Sequence, residues 1–377
     1  MITLTTAGES HGKGLFAIIE GLPQGLELDL EKINAALSRR QSGYGRGPRQ
    51  KIERDSVEIL SGVRDRVTLG SPVALAVWNR DYENWKDVMA PEGCDVNQRR
   101  VENARPGHAD LAGMKKFDLK DARDILERAS ARETAVRVAA GEIFRQLLLA
   151  LGIEVTGFVR SVGTSFDHGT YSFEEIQKGR SESLCMLDSA VEGRAKREID
   201  SAKAEGDTLG GVIELRVKGL KSGFGSPMTY REKLDARLAG ALMSVQAIKG
   251  VEVGSGFELA TLKGSQAHDE IYFEDGKFAR RSNRAGGIEG GMSNGEELVL
   301  RAVMKPIPTL MRGLNTVNYN SKQPQKAAAE RSDVCAVPAC EVVLESAILC
   351  ELAVVVSERL GGDTLLQLKK RYEELAL

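Results

Sequence analysis

The chain has 377 residues, with 52 Lys or Arg, 54 Asp or Glu and a formal net charge of −2. That balance excludes the global basic field of a general nucleic-acid binder. Apolar content of 42% and charged content of 28% are those of a soluble globular protein, and the length allows two domains or one large one, either with ample core.

Residues 2–6 and 15–21 read as strands, joined by the loop Gly8-Glu9-Ser10-His11-Gly12-Lys13-Gly14. Its glycine-to-lysine spacing is one residue short of a phosphate loop and no Ser or Thr follows Lys13, so a nucleotide-triphosphate site is rejected. By position alone His11 reads as a surface histidine in a glycine turn. Residues 29–40 form an amphipathic helix with Leu30, Ile33, Ala36 and Leu37 on its apolar side. The helix runs into the basic segment 39–51, which carries Arg39, Arg40, Arg46, Arg49 and Lys51. A solvated charge run is the ordinary reading. The functional one is a mobile lid whose guanidiniums close on a polyanion, since arginine forks fit phosphate and carboxylate bidentately.

Strands are expected at 56–60 and 72–77. A polar stretch follows at 78–104, with Trp78, Tyr82 and Trp85 packed as a local cluster. His108 then sits in a Pro106-Gly107 turn. Residues 128–134 (RASARET) bring cations and hydroxyls to the start of a helix whose apolar residues, Val136 through Leu151, cover too wide an arc for a surface position. Glu133 and Arg137, four apart, are placed to pair on its remaining face. A buried helix that starts among cations is a candidate anion site, because its free N–H groups and positive dipole end add to the side-chain charge.

In the second half, strands are expected at 153–159, 212–217, 251–253 and 297–303, with helices at 231–246, 339–360 and 363–375. The apolar stretch near 342–357 is interrupted by Glu345 and Glu351, so it reads as a core helix and not a membrane span. Glycine density over 282–295 implies backbone close to something, or else a flexible hairpin loop. The five cysteines form no Cys-x-x-Cys pair and are read as reduced thiols of a cytoplasmic protein; the N-terminus shows no signal-peptide pattern. The four histidines are scattered and no metal site is expected.

Three stretches, GESHGKGLFAIIEGLP (8–23), ERASARETAVRVAAG (127–141) and RSDVCAVPACEVVLESA (331–347), resemble the signature segments of the chorismate synthase family. RPGHAD (105–110), GDTLGG (206–211), GGIEGGMSNG (286–295) and KPIPT (305–309) resemble the family too, in the same order along nearly the whole chain. The resemblance implies an α+β fold, a β-α-β sandwich in a single domain over residues 1–377, and a homotetramer; the similar order of strands, helix and strands in the two halves adds the expectation of an internal pseudo-two-fold arrangement. It implies the anti 1,4-elimination of phosphate from 5-enolpyruvylshikimate 3-phosphate to give chorismate, dependent on reduced FMN, with no role for nucleic acid or membrane.

By the same resemblance His11 protonates the reduced flavin, and His108 sits by the leaving group and flavin. Asp333 assists proton removal, and Ser10 and Ser130 hold or relay protons. FMN positions fall on Arg128, Ala129, Ser130, Gln246, Ala247, Gly290, Lys305, Pro306, Ile307, Pro308, Thr309 and Arg331. Ala129 stands where many relatives have serine, so a backbone contact is expected there. Substrate contacts fall on Ser10, Arg40, Arg46, Arg49, His108, Arg132 and Arg331, and Arg40 and Arg46 also match NADPH positions. Two rivals remain open: an NADPH-dependent flavin reductase, although no G-x-G-x-x-G opens a helix, and an anion or RNA binder using the basic loop.

Overall fold

The computed structural model describes residues 1–47, 54–327 and 333–375. It is a mixed α/β structure. One antiparallel sheet orders its strands as Thr3–Gly8, Gly14–Glu20, Val73–Trp78 and Val57–Ile59. A second orders Ile248–Val253, Leu298–Met304, Gly211–Lys218, Glu154–Val162 and Ser165–Phe166, again antiparallel throughout. In the first sheet Leu15, Ala17 and Ile19 turn inward while Ile18 faces out, the two-residue period of a half-buried strand.

Two long helices, Thr134–Leu149 and Val337–Leu360, pack along each other. The first also packs on strands Gly14–Glu20 and Val73–Trp78 and on the helix Leu30–Gln41. The second packs on Glu154–Val162 and Gly211–Lys218 and on the helix Leu234–Met243. Their all-round apolar sequences follow from this placement: each is covered by sheet and by helix. Among the described residues, no helix is long and apolar enough to cross a membrane.

Glu341 and Glu345 lie inside this layer, essentially without exposure. Buried carboxylates require partners. Arg39 and Arg180 bind Glu341 at 3.0 and 2.9 Å, and Arg145 and Arg180 bind Glu345 at 2.8 and 2.9 Å. Burial beside the Glu345 carboxylate pushes Glu341 up to about 8.

Several expectations are corrected. Helix 231–246 covers only Leu234–Met243, because Val245–Ile248 turns, with Ala247 at φ +71°. Arg137 donates to Ser244 Oγ at 2.9 Å, while Glu133 accepts from Thr6 Oγ1 at 2.8 Å. Trp78, Tyr82 and Trp85 do not form one cluster: Trp78 meets Phe16 edge-on, and Trp85 stacks on His11. Two glycines of 282–295 do sit against backbone, but it is the chain's own: a Cβ on Gly286 would lie 2.3 Å from Gly254 N, and one on Gly287 2.7 Å from Glu297 O, whereas Gly290 faces open space. Within this stretch Ile288–Glu289 and Met292–Ser293 pair as a short hairpin.

The crossing of the two long helices is close at Gly141. A Cβ there would stand 2.5 Å from Ser346 Cβ and 2.8 Å from its Cα. Gly141→Ala is therefore expected to destabilise the protein by about 1–3 kcal/mol despite alanine's better helix propensity, read as a lowered urea midpoint.

Candidate functional site

The site is built where the helix Thr134–Leu149 begins. Ser130 has extended backbone and its Oγ accepts from Arg132 N at 3.2 Å, capping the short turn Ala131–Glu133 that leads into the helix. Arg40, from the end of the helix Leu30–Gln41, donates to Thr134 Oγ1 and to Ala131 O, both at 2.9 Å. Arg132 donates to both oxygens of the buried Asp55, at 2.7 and 2.6 Å, and to Asn79 Oδ1 at 2.9 Å. Asp55 also pairs with Arg40 at 3.5 Å. Burial lowers Arg40 to about 10, with the nearby Arg132 and Arg46 adding to the shift and Asp55 opposing it.

These residues border a cavity of about 570 Å³, the size of a small-molecule or cofactor site. Of the residues singled out in the sequence, Arg40, Arg46, His108, Ala129, Ser130, Arg132, Gln246, Ala247, Lys305, Ile307, Pro308, Thr309 and Asp333 all line it. Ala336, Ala339 and Cys340, from the start of the helix Val337–Leu360, line it as well. Two long buried helices thus aim their positive ends at one space.

Five predicted positions stand apart from that lining. Arg128 is half-exposed and binds Thr6 O and Gly8 O at 3.1 and 3.2 Å. Gly290 is at the tip of the short hairpin, with open space where a Cβ would be, and Pro306 is exposed. Ser10 and His11 lie behind the wall, joined to it by Ser10 Oγ, 3.3 Å from Ser130 Oγ. Arg49 and Arg331 lie outside the described residues, as do positions 48–51 of the expected basic lid. The described part of that segment is anchored, not solvated. Arg40 is buried, Tyr44 OH donates to Asp200, and Gly47 N donates to Asp333 Oδ1 at 2.6 Å. Arg46 pairs with Asp333 at 2.8 Å, and burial lowers its pKa.

Both histidines are bound through Nδ1 to buried carboxylates. His108 Nδ1 is 2.5 Å from Asp110 Oδ1, and Arg105 donates to Asp110 through its backbone N, Nε and Nη2. His11 Nδ1 is 3.0 Å from Glu127, which also accepts from His11 N and from Arg123. The His11 ring stacks on Trp85 at 3.9 Å, and the Arg99 guanidinium lies 4.0 Å from the Trp85 ring centre. Burial alone would raise both carboxyls. Bonds from His108 and Arg105 to Asp110, and from His11 and Arg123 to Glu127, outweigh it and hold each below its ordinary range.

Sequence reasoning missed Asp55, Asn79, Trp85, Arg105, Asp110 and Glu127. Arg105 and Asp110 stood inside the quoted RPGHAD segment and Glu127 opened another, so charge opposite charge within those motifs was the available signal. Asp55, Asn79 and Trp85 come from stretches that carry none.

The donor set fits a flavin mononucleotide and an anionic substrate. Among the described residues, the buried atoms Arg46 Nε and Gln246 Oε1 have no hydrogen-bond partner, a cost of about 1–3 kcal/mol each that a bound ligand would relieve. Lys305 adds a cation whose pKa is lowered by burial and by Lys249. Among the described residues, no group of three or more His, Cys, Asp or Glu is gathered as a metal site.

Comparison with known proteins points the same way. The family model described as chorismate synthase matches residues 2–356. A chorismate synthase of Geobacter sulfurreducens is 51% identical over 99% of this chain and 98% of its own. One of Pelobacter propionicus is 54% identical with the same coverage. A solved structure titled as a chorismate synthase superposes with a TM-score of 0.78 at 39% identity, covering 99% of this chain and 96% of that one.

The depressed Glu127 carboxyl makes a prediction about acid. A group with a lowered folded pKa stabilises fully above its unfolded value, ordinarily 4.5, and that stability is lost as pH falls through the folded value. The urea midpoint of the native protein should drop as pH falls below the ordinary carboxyl value. In Glu127→Gln, less stable at neutral pH, the drop should be shallower. Parallel acid profiles would contradict this.

Proposed function

The chain belongs to the chorismate synthase family and is a lyase, and from that premise we propose that the cavity performs the anti 1,4-elimination of phosphate from 5-enolpyruvylshikimate 3-phosphate with reduced FMN bound. The observation that carries this reading is the convergence of Arg40, Arg46 and Arg132 on one cavity at the starts of two buried helices. The substrate has two carboxylates and a phosphate, and guanidinium forks with helix N-termini suit all three.

In this proposal Arg40, Arg46 and Arg132 grip the substrate, joined by Arg49 and Arg331. Lys305 and Thr309, with Ser130 and the backbone at Ala129 and Ala247, hold the flavin, and Gln246 Oε1 accepts one of its N–H groups. Gly290, Arg128, Pro306 and Ile307 complete the expected flavin positions, with Pro308 beside them. What the reduced flavin supplies when bound is an electron-rich ring against the substrate. The carbon–oxygen bond to phosphate breaks, a ring hydrogen leaves as a proton, and a second ring double bond forms, with no net redox change. His108 gives its proton toward the departing phosphate, where negative charge grows and fixed cations lower the barrier. His11 keeps a second proton behind the wall, in reach through Ser10 and Ser130, and Asp333 assists removal of the ring proton. A β-α-β sandwich with pseudo-two-fold halves in one domain, a homotetramer and a cytoplasmic location belong to the same proposal. So does NADPH at Arg40 and Arg46 as electron source.

The decisive assay is anaerobic, with dithionite-reduced FMN and the enolpyruvyl substrate, following chorismate absorbance. Folded protein that forms none overturns the proposal. His108→Ala should lose roughly 10²–10⁴-fold in turnover, as should His11→Ala, the range for one general acid, with FMN still bound. Arg132→Ala should weaken substrate binding by roughly 10–100-fold, the worth of a hydrogen bond to a charged group, and FMN much less. Equal loss of both ligands would show damage to the scaffold instead.

A further inference from the structure

We propose that Asp110 is a positioning residue for His108: it fixes the ring with the proton on Nδ1 and so leaves Nε2 as the atom that exchanges protons in the cavity. The turnover part of this inference rests on the role given to His108 above. The tautomer part stands on geometry alone.

His108 Nδ1 has two neighbours that make opposite demands. Arg105 Nη2, at 3.2 Å, only donates and would need an unprotonated Nδ1. Asp110 Oδ1, at 2.5 Å, only accepts when ionised and needs a protonated one. The carboxylate decides. Two lone pairs cannot meet at 2.5 Å, whereas an N–H and a guanidinium at 3.2 Å can pass each other with Arg105 satisfied elsewhere. Arg105 is so satisfied, through Nε to Asp110 Oδ2 at 2.8 Å and Nη2 to Oδ1 at 3.0 Å.

Asp110 itself cannot turn away. It has no exposure, it opens the helix Asp110–Phe117, whose positive end favours a carboxylate, and three donors of Arg105 hold it. Its depressed pKa agrees with a permanently ionised group. The His11–Glu127–Arg123 arrangement repeats the pattern: imidazole Nδ1, buried carboxylate, arginine.

Asp110→Asn separates orientation from bulk. The amide oxygen stays where Oδ2 takes two donors from Arg105, which puts the amide NH₂ in place of Oδ1, facing His108 Nδ1 and costing Arg105 Nη2 its bond there. The ring must then accept at Nδ1 and carry its proton on Nε2, and Arg105 Nη2 is already placed to support that tautomer. The chain has four histidines, so ¹⁵N-histidine NMR with His→Gln assignment variants resolves each ring.

The expected result is a protonated Nδ1 on His108 in the native protein and a protonated Nε2 in Asp110→Asn. Turnover should fall roughly 10²–10⁴-fold, the scale of losing an orienting carboxylate, with the melting temperature recording the fold. In a His108→Ala background, Asp110→Asn should cost nothing further. An unchanged tautomer in Asp110→Asn overturns the proposal, and so does the same turnover loss with and without His108. His108→Ala alone reads the proposed function: if it turns over normally, that role fails while the tautomer result still decides the position of Asp110.

Discussion

The site depends on one buried carboxylate. Arg132 and Arg40 are both driven to the start of a helix whose free N–H groups are already positive, and like charges confined together out of water repel. Asp55 is the counter-charge that makes this tolerable. It accepts from Arg132 Nη1 with both oxygens and stands 3.5 Å from Arg40, while Thr134 and Ala131 O accept from the rest of the Arg40 fork. The same network reaches further. Asn79, bound to Arg132 Nε, donates to Glu9 O and Gly12 O and so sets the loop that carries His11. One ion pair therefore orders both the anion forks and, through a single amide, the position of a distant imidazole. Forks fixed before a ligand arrives lose little freedom when it binds.

The layered fold explains why the cavity is where it is. Two helices pack side by side, covered by sheets and further helices, and both begin at the cavity. Their partial positive charges are shielded from water there, where they are worth more to an anion than at a surface. The interior acids of the second helix, Glu341 and Glu345, are balanced by Arg39, Arg145 and Arg180, so they do not cancel the positive field at its start. Arg39 and Arg40 are neighbours in sequence with opposite duties: one closes the acidic cluster, the other faces the cavity.

Local pattern was enough for most of the long elements, but not for shorter helices such as Asp110–Phe117 and Arg123–Ala129. Alternation found most strands within a residue or two, although Glu154–Val162 ends three residues later and Ile248–Val253 begins three earlier than expected, and the wide apolar arc from 136 to 151 and the apolar stretch near 342–357 correctly placed both helices in the core. Ends that depend on turns were less legible: the helix expected to run to 246 stops at Met243, and the turn over 244–247 has no glycine to announce it. The motif residues at 128–134, 246–247 and 305–309 were legible as a set only because their order resembles a family. Nothing in their composition says that Gln246 and Lys305 share a cavity with Ser130. Of the partners that hold the site, Asp55, Asn79 and Trp85 were not legible at all. Asp55 is an ordinary acid after a basic run, and Trp85 is an ordinary tryptophan in a polar stretch. Only the closing of distant segments shows what each one faces.

The two histidines show why residue-by-residue judgement underrates such sites. Each sits in a glycine turn, where exposure is the usual fate, yet in the fold each ring is mostly covered, at 14% and 17% exposure. Covering an imidazole beside a carboxylate and an arginine gains little stability, because desolvating the charges offsets much of their attraction. Three ionisable groups held together at that poor return are better explained by orientation than by folding strength. The protein does this twice, at His11 and at His108. In both cases Nδ1 is the atom held by the carboxylate, and under the roles proposed above Nε2 is the nitrogen that exchanges protons.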